Sequence, residues 1–290
     1  MDRTTATLRG FNRTWTQRVG ALDESYLGTG RPLATSRLLF ELDPVAPTPV
    51  TDLRDWLGLD AGYLARLLRR LEAEGLATTV PDPEDRRRRQ VGLTDAGRDE
   101  RAELERRSAE AATRLLRPLT DRQRERLADA LAVADLLVRA ATLDLRRARP
   151  DEPAVARALT RYVAELADRF PAGFDPGPAD PRDPGTTYLL ATSDGEPVAC
   201  GGVRPLEAGT TGTAEVKRMW VDAAWRGAGL GARLLASLED LARDLGHTRV
   251  VLDTNSTLVE AVALYDRAGY RRIDRYNDNP YAEAFFTKGL

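Results

Sequence analysis

Two short stretches of this chain have the residue types and spacing to do chemistry. The first, Arg226-Gly227-Ala228-Gly229-Leu230-Gly231-Ala232, is a glycine-rich turn that runs straight into an amphipathic helical pattern through Leu234, Leu235, Leu238, Leu241 and Leu245. Small residues let backbone amides approach a phosphate, and a helix amino terminus adds partial positive charge, so the pattern predicts a pyrophosphate cradle. It is not a dinucleotide fingerprint: Gly227, Gly229 and Ala232 meet part of one, but the neighbouring strands read as antiparallel and no β-α-β unit precedes them. No Gly-Lys-Ser/Thr occurs, which removes the nucleoside-triphosphate loop as well. The second stretch, Arg86-Arg87-Arg88-Arg89, is the densest charge run, and it sits beside Asp82, Glu84 and Asp85. Charge alone reads there as a solvated hairpin.

Other chemistries are excluded by scarcity. A lone Cys200 forms neither an internal disulfide nor a thiolate metal cluster, and the single His247 removes the commonest zinc and triad arrangements, so no metal is expected. The amino terminus lacks an apolar core and no apolar run reaches membrane-spanning length, which predicts a soluble cytoplasmic protein with no membrane partner. Of 43 basic residues only Lys217 and Lys288 are lysines, a composition bias more than a binding signal.

The elements that position the two stretches fall into two domains, as 290 residues lead one to expect. The formal charge of -2 conceals a division. Residues 1–150 carry 27 Arg against 24 acids, net +3, and residues 151–290 carry 16 basic against 21 acidic residues, net -5. We place the boundary at 149/150, in the run Arg149-Pro150-Asp151-Glu152-Pro153. Domain 1–149 is mainly helical. Thr48 to Asp60 reads as a short helix stopped at Gly58 and a turn whose Asp60 caps a second helix, Ala61 to Glu74, which buries Leu64, Leu67, Leu68 and Leu71 and ends at Gly75. A strand over Leu76 to Val80, a turn at 81–85 and a return over Arg86 to Leu93 follow, before Thr94 caps a further helix.

This succession resembles the winged helix-turn-helix of MarR-type regulators, above all in Leu67-Leu68-Arg69-Arg70-Leu71-Glu72-Ala73-Glu74-Gly75-Leu76, Asp85-Arg86-Arg87 and Val91-Gly92-Leu93-Thr94-Asp95-Ala96-Gly97. The resemblance implies that Ala61, Tyr63, Arg66, Arg69 and Arg70 face the major groove of duplex DNA. It also implies that Arg87 reaches the minor groove with Asp85 buttressing it, and that Arg86 beside it binds DNA. A planar guanidinium suits both phosphates and base edges. The resemblance further implies a homodimer on a near-palindromic site, through helices near Phe11 to Tyr26, Ala102 to Leu116 and Asp121 to Leu145.

Domain 150–290 changes texture. A helix containing Val155, Leu159, Val163 and Leu166 leads to a Pro/Gly-rich stretch, 171–185. Strands follow at Tyr188 to Ala191, Pro197 to Val203 and Ala214 to Val221, then the glycine turn and its helix. The string Ala214-Glu215-Val216-Lys217-Arg218-Met219-Trp220-Val221-Asp222, the loop Trp225 to Gly231, the strand Val250 to Asn255 and Leu258 to Tyr265 before Ala268-Gly269-Tyr270 together resemble the GNAT acyltransferase superfamily. This implies an α/β fold with a mixed, mostly antiparallel, splayed sheet and acetyl-CoA as acyl donor. Met219, Trp220 and Val221 would border the pantetheine arm, Arg226 to Ala232 the pyrophosphate, and Asn255 the coenzyme. Glu215 would neutralise an amine through water and Tyr265 would protonate the leaving thiolate. Each role has a plainer rival: Glu215 as an exposed strand carboxylate or an ion-pair partner of Lys217 or Arg218, Tyr265 as core, Asn255 as a helix cap. The tail offers Asn277, Asn279 and Tyr281 for an acceptor pocket, or simply closes the sheet.

The resulting expectation is a DNA-binding regulator joined to an N-acetyltransferase that acts on the primary amine of a small molecule by direct transfer. The alternative is a regulator whose second domain only senses acetyl-CoA or a metabolite.

Overall fold

The computed structural model describes residues 2–83, 85–170, 173–174, 185–206 and 212–290. Of the Pro/Gly-rich stretch only Gly173, Phe174 and Gly185 are described, and Glu84 lies outside the described residues. The chain forms two compact units, Met1–Ala128 and Asp129–Leu290.

The first unit opens with α1 (Arg3–Arg18), capped by the Asp2 carboxylate, which accepts from the amides of Thr4 and Thr5. The expected helix over Phe11 to Tyr26 is therefore displaced toward the amino terminus. It stops because Gly20, at φ 66°, leaves the helical region, and Tyr26 falls in a single 3₁₀ turn. After α2 (Leu33–Glu41) and β1 (Thr48–Pro49) come α3 (Val50–Leu57) and α4 (Ala61–Ala73). Gly58 ends α3 in the left-handed region at φ 60°, and Asp60 caps α4 by accepting from the Tyr63 amide. Leu64 and Leu71 of α4 close over Leu38, Leu39 and Leu53 in one cluster. Full burial of each such leucine contributes about 1.5–3 kcal/mol. β2 (Ala77–Pro81) and β3 (Arg89–Leu93) pair antiparallel with β1 on the far side of β3, giving the order β1-β3-β2. Thr94 caps α5 (Asp95–Leu116) through the Gly97 amide, so that helix starts well before Ala102.

The next helix, α6 (Asp121–Thr142), ends three residues short of the expected Leu145, because Arg146–Ala148 are drawn into a strand, β4, against Tyr188 to Leu190. α7 (Pro153–Arg169), β5 (Thr187–Ser193), β6 (Glu196–Pro205), β7 (Thr213–Val221), α8 (Leu230–Asp244), β8 (Arg249–Thr254), α9 (Val259–Arg267), β9 (Arg271–Arg272) and β10 (Ala284–Gly289) complete the second unit. Its sheet has the order β4-β5-β6-β7-β8-β10-β9, antiparallel except for the parallel β7 and β8. One cluster, from Leu189, Val203, Val216 and Leu252 to Leu234, Leu238 and Tyr265, lies under α8 and α9. Another, of Tyr188, Leu190, Cys200 and Trp220, lies under α7.

Candidate functional site

The parallel pairing of β7 with β8 lasts for three residues, Thr213↔Arg249, Ala214↔Val250 and Glu215↔Val251, and then stops. Beyond it β7 runs on to Val221 and β8 to Thr254 with no pairing between them, while β8 keeps β10 on its other edge throughout, so the two strands part and leave a cleft in the middle of the sheet. A bulge sharpens the divergence: Cys200 opposes Trp220 while Gly202 opposes Lys217, and Arg218 takes the extra turn at φ 54°. Gly202 is required opposite the bulge, since a Cβ there would meet Thr186 at 2.6 Å and the Tyr188 ring at 3.0 Å.

At the mouth of the cleft the chain makes the glycine turn. Gly227 and Gly229 take φ 85° and 78°, conformations that a side chain disfavours, and a Cβ at either would meet nothing within 4 Å, so the surface over the turn is open. Gly229 is the N-cap of α8 and no side chain caps the helix. The amides of Leu230, Gly231 and Ala232 therefore remain as donors at a positive helix end. Gly231 sits close to Leu264 and Met219, and Ala228 is half-buried. The donor set and the bare surface fit a pyrophosphate.

The two side chains that bound this stretch do not point at such a ligand. Arg226 donates to the Val221 carbonyl and pairs with Glu165 of α7, which also accepts from the Trp220 indole. Burial alone would push the Glu165 carboxyl up, but Arg226, Trp220 and Arg169 more than reverse it and hold it below the ordinary range. Trp220 thus turns its ring under α7 and offers the cleft only its backbone. On the other side Arg233 of α8 donates to the carbonyls of Ala140 (2.6 Å) and Leu143 (2.8 Å), satisfying the end of α6, and Arg139 of α6 lies over Trp225 at 4.6 Å.

Glu215, the last residue of β7 still paired with β8, is fully buried. Its Oε2 accepts from Arg204 Nε and Nη2, both at 2.8 Å. Its Oε1 faces Lys217 Nζ (3.3 Å), the Tyr276 hydroxyl (2.9 Å) and Asn277 Nδ2 (3.3 Å). Both oxygens are engaged, and the partner is Lys217, not Arg218. Burial followed by the Glu215 charge pushes the Tyr276 phenol far up, so it stays a donor.

The loop between β9 and β10 is strung across the cleft by its polar side chains. Asn277 holds the Asn279 amide, Asn279 holds the Tyr281 amide and donates to Asp253 of β8, and Asn255 donates to the Tyr281 carbonyl while its oxygen accepts from Thr257. Asn255 therefore braces loops and does not cap α9, whose N-cap is Leu258. The Tyr281 ring joins Phe170 and Phe174, at 5.9 and 4.8 Å between centroids. Tyr265, on α9, is buried among Tyr270 and Phe286, and burial raises its phenol strongly, so it is protonated at any ordinary pH. Cys200 is buried too, and burial pushes its thiol up to about 12, which disqualifies it as a nucleophile.

In the first unit α4 leaves Ala61, Arg66, Arg69 and Arg70 exposed, with Arg66 lying 5.2 Å from the centroid of the half-buried Tyr63 ring and Arg70 tied to Glu74. At the β2–β3 tip Asp85 receives the Arg87 amide (3.0 Å) and pairs with the Arg88 guanidinium (3.5 Å). It braces the backbone of Arg87 and leaves the side chains of Arg86 and Arg87 exposed.

Arg204, Tyr276, Asp253, Glu165 and Arg233 are the site residues that sequence reasoning passed over. Asp253 alone had a signal, an acid ending the apolar strand Val250-Val251-Leu252.

Residues 154–270 match the model of the acetyltransferase (GNAT) family, and residues 29–88 that of the MarR family. Among curated proteins, the chain is 33% identical over 133 residues to the uncharacterized N-acetyltransferase YjgM of Escherichia coli, covering 43% of this chain and 78% of that one. It is 32% identical over 139 residues to the IAA acetyltransferase of Azospirillum brasilense, covering 47% and 88%. A solved MarR-family transcriptional regulator from Rhodococcus shares 21% identity over 45% of this chain and 93% of its own, at a TM-score of 0.38. The chain belongs, through its carboxyl-terminal half, to the GNAT acetyltransferase family, joined to an amino-terminal MarR-type winged helix-turn-helix domain. That family generally uses acetyl-CoA. Among the described residues no helix is long and apolar enough to cross a membrane, and no group of three or more His, Cys, Asp or Glu side chains is placed to hold a metal ion.

Proposed function

We propose that the carboxyl-terminal half binds acetyl-CoA and passes its acetyl group directly to the primary amine of a small molecule, and that the amino-terminal half, as a homodimer, reads a near-palindromic DNA duplex. The observation that carries the first part is the parting of β7 from β8 immediately beside an uncapped helix with an open glycine turn. An extended pantetheine arm can lie along the β7 edge at Met219 to Val221 as an added strand would, with its pyrophosphate on the amides of Arg226 to Ala232. When bound, acetyl-CoA supplies an activated acyl group. Tyr265, protonated and seated on α9 beside the cleft, donates to the departing thiolate. Asn277, Asn279 and Tyr281 line the acceptor side. Glu215, with both oxygens engaged, holds Tyr276 and Asn277 in place.

The DNA-binding part rests on the exposed arginines of α4 and of the wing, Arg86 and Arg87, with Asp85 bracing the turn. Dimerisation is supported by α1, which buries none of its residues and exposes Leu8, Phe11 and Trp15 on one stripe. An isolated helix of that length is marginal in water, and a second copy would cover the stripe.

Two assays test the halves separately. Thiol release from acetyl-CoA across an amine panel is expected for at least one amine; coenzyme binding without turnover on any amine would favour the sensor reading. Binding to the duplex upstream of its own gene should be salt-dependent and fall roughly tenfold or more in Arg87→Ala. A protein with no preference for that duplex over random sequence defeats the second half of the proposal.

A further inference from the structure

The cleft contains a carboxylate that none of the roles above uses. Asp253 lies on β8 two residues past the point where pairing with β7 ends, so its β7-side edge borders the cleft, while Phe285 of β10 pairs with it on the other side. Its side chain is half-buried. Asn279 donates to Oδ2, and among the described residues Oδ1 has no partner. Three phenols on three different elements stand within reach of its charge: Tyr162 of α7, Tyr265 of α9 and Tyr276 of the loop. Burial first and Asp253 next push the Tyr162 phenol up to about 12, with Arg218 pulling the other way. Arg218 acts on the same Tyr162 phenol as Asp253, and Glu215 and Arg204 act on the same Tyr276 phenol.

Acetylation of an amine needs a proton acceptor, because the amine enters as an ammonium ion with no lone pair. Glu215 meets five donor atoms from four residues and has no oxygen left over, whereas Asp253, on the strand that borders the cleft, has an oxygen, Oδ1, that accepts from no described residue. We propose that Asp253, not Glu215, takes the proton of the acceptor's ammonium group, and that the acceptor is therefore a primary amine cationic at neutral pH. This rests on the acetyl-transfer reading.

The step balances as follows in protons and electron pairs. The ammonium nitrogen gives one proton to Asp253 Oδ1 and regains its lone pair. That pair forms the C–N bond to the acetyl carbonyl carbon as the C–S bond breaks, its electrons leaving on sulfur. The thiolate takes the Tyr265 proton, and Tyr265 recovers one from the newly acylated nitrogen, which carries one in excess. Asp253 returns its proton to solvent, so ammonium ion and thioester yield amide, thiol and one proton.

The test is kcat/KM for thiol release between pH 6 and 10, using the amine turned over best, in the full-length wild type, Asp253→Asn and Asp253→Glu, with acetyl-CoA affinity measured in each. Asp253→Asn is expected to lose about 10²-fold or more at pH 7. The deficit should shrink tenfold per pH unit toward the amine's own pKa, as more of the amine arrives neutral. Coenzyme affinity should be unchanged, and Asp253→Glu should recover part of the loss. Loss that is constant with pH, or no loss in Asp253→Asn, overturns the assignment while leaving acetyl transfer standing. A wild type that binds acetyl-CoA and shows no amine-dependent thiol release with any amine overturns acetyl transfer and the assignment together.

Discussion

Glu215→Gln separates a structural carboxylate from a chemical one. The substitution keeps the shape and removes one charge from a fully buried position. Whichever way the amide turns, its NH2 group faces donors: either the two Arg204 nitrogens at 2.8 Å, or Lys217, Tyr276 and Asn277 at 2.9 to 3.3 Å. The Tyr276 hydroxyl can rotate to accept, whereas Asn277 can accept only by flipping its amide and giving up the Asn279 amide. Breaking a fully buried ion pair costs about 3–5 kcal/mol. Here Arg204 and Lys217 keep 33% and 25% of their side-chain surface in water, so their charges are partly rescued and the loss should be about 2 kcal/mol. Urea unfolding of the full chain measures it, with hydrogen exchange across 196–221 isolating β6 and β7, since two units need not unfold as one. The reasoning is refuted if stability changes by less than about 0.5 kcal/mol while kcat/KM falls a hundredfold, the pattern of a proton acceptor with little structural duty.

Two further outcomes follow from the packing and the ion pairs. Gly97→Ala would place a Cβ 1.9 Å from the Leu76 carbonyl oxygen, a backbone atom that cannot step aside, so α5 must move away from the wing; thermal unfolding should show a loss of about 3 kcal/mol, and an unchanged melting curve would contradict the contact. The Glu165 carboxyl is held below its ordinary range by Arg226, so its stabilisation is complete above the ordinary carboxylate pKa and drains away as pH falls through the lowered value. The urea midpoint of wild type should therefore drop more steeply on acidification than that of Arg226→Met, and parallel curves would exclude the pair as a contributor.

What could be read from the residues was mostly local. Asp60, Thr94 and Gly58 announce helix ends because a cap or a left-handed turn depends on the residue itself, and all three act where they were expected. The glycine turn was legible for the same reason. Long-range pairings were not. Arg146-Arg147-Ala148 looks like the charged end of a helix, and only the presence of β5 some 40 residues later makes it a strand. Glu215 reads as an alternating strand residue, and its cage is assembled from β6, β7 and a loop 61 residues away. Asx-type bracing by Asn255 likewise depends on where Tyr281 returns.

The scarcity of lysine has a practical consequence for a protein of this family. Lys217 pairs with Glu215 and Lys288 with Glu239, and they are the only side-chain amines in the chain. Guanidinium groups do not accept acyl groups at neutral pH. Apart from the α-amino group, labelled acetyl can therefore form an amide with this protein at two ion-paired positions alone. Self-acylation leaves little background, and label that accumulates elsewhere reports the true acceptor.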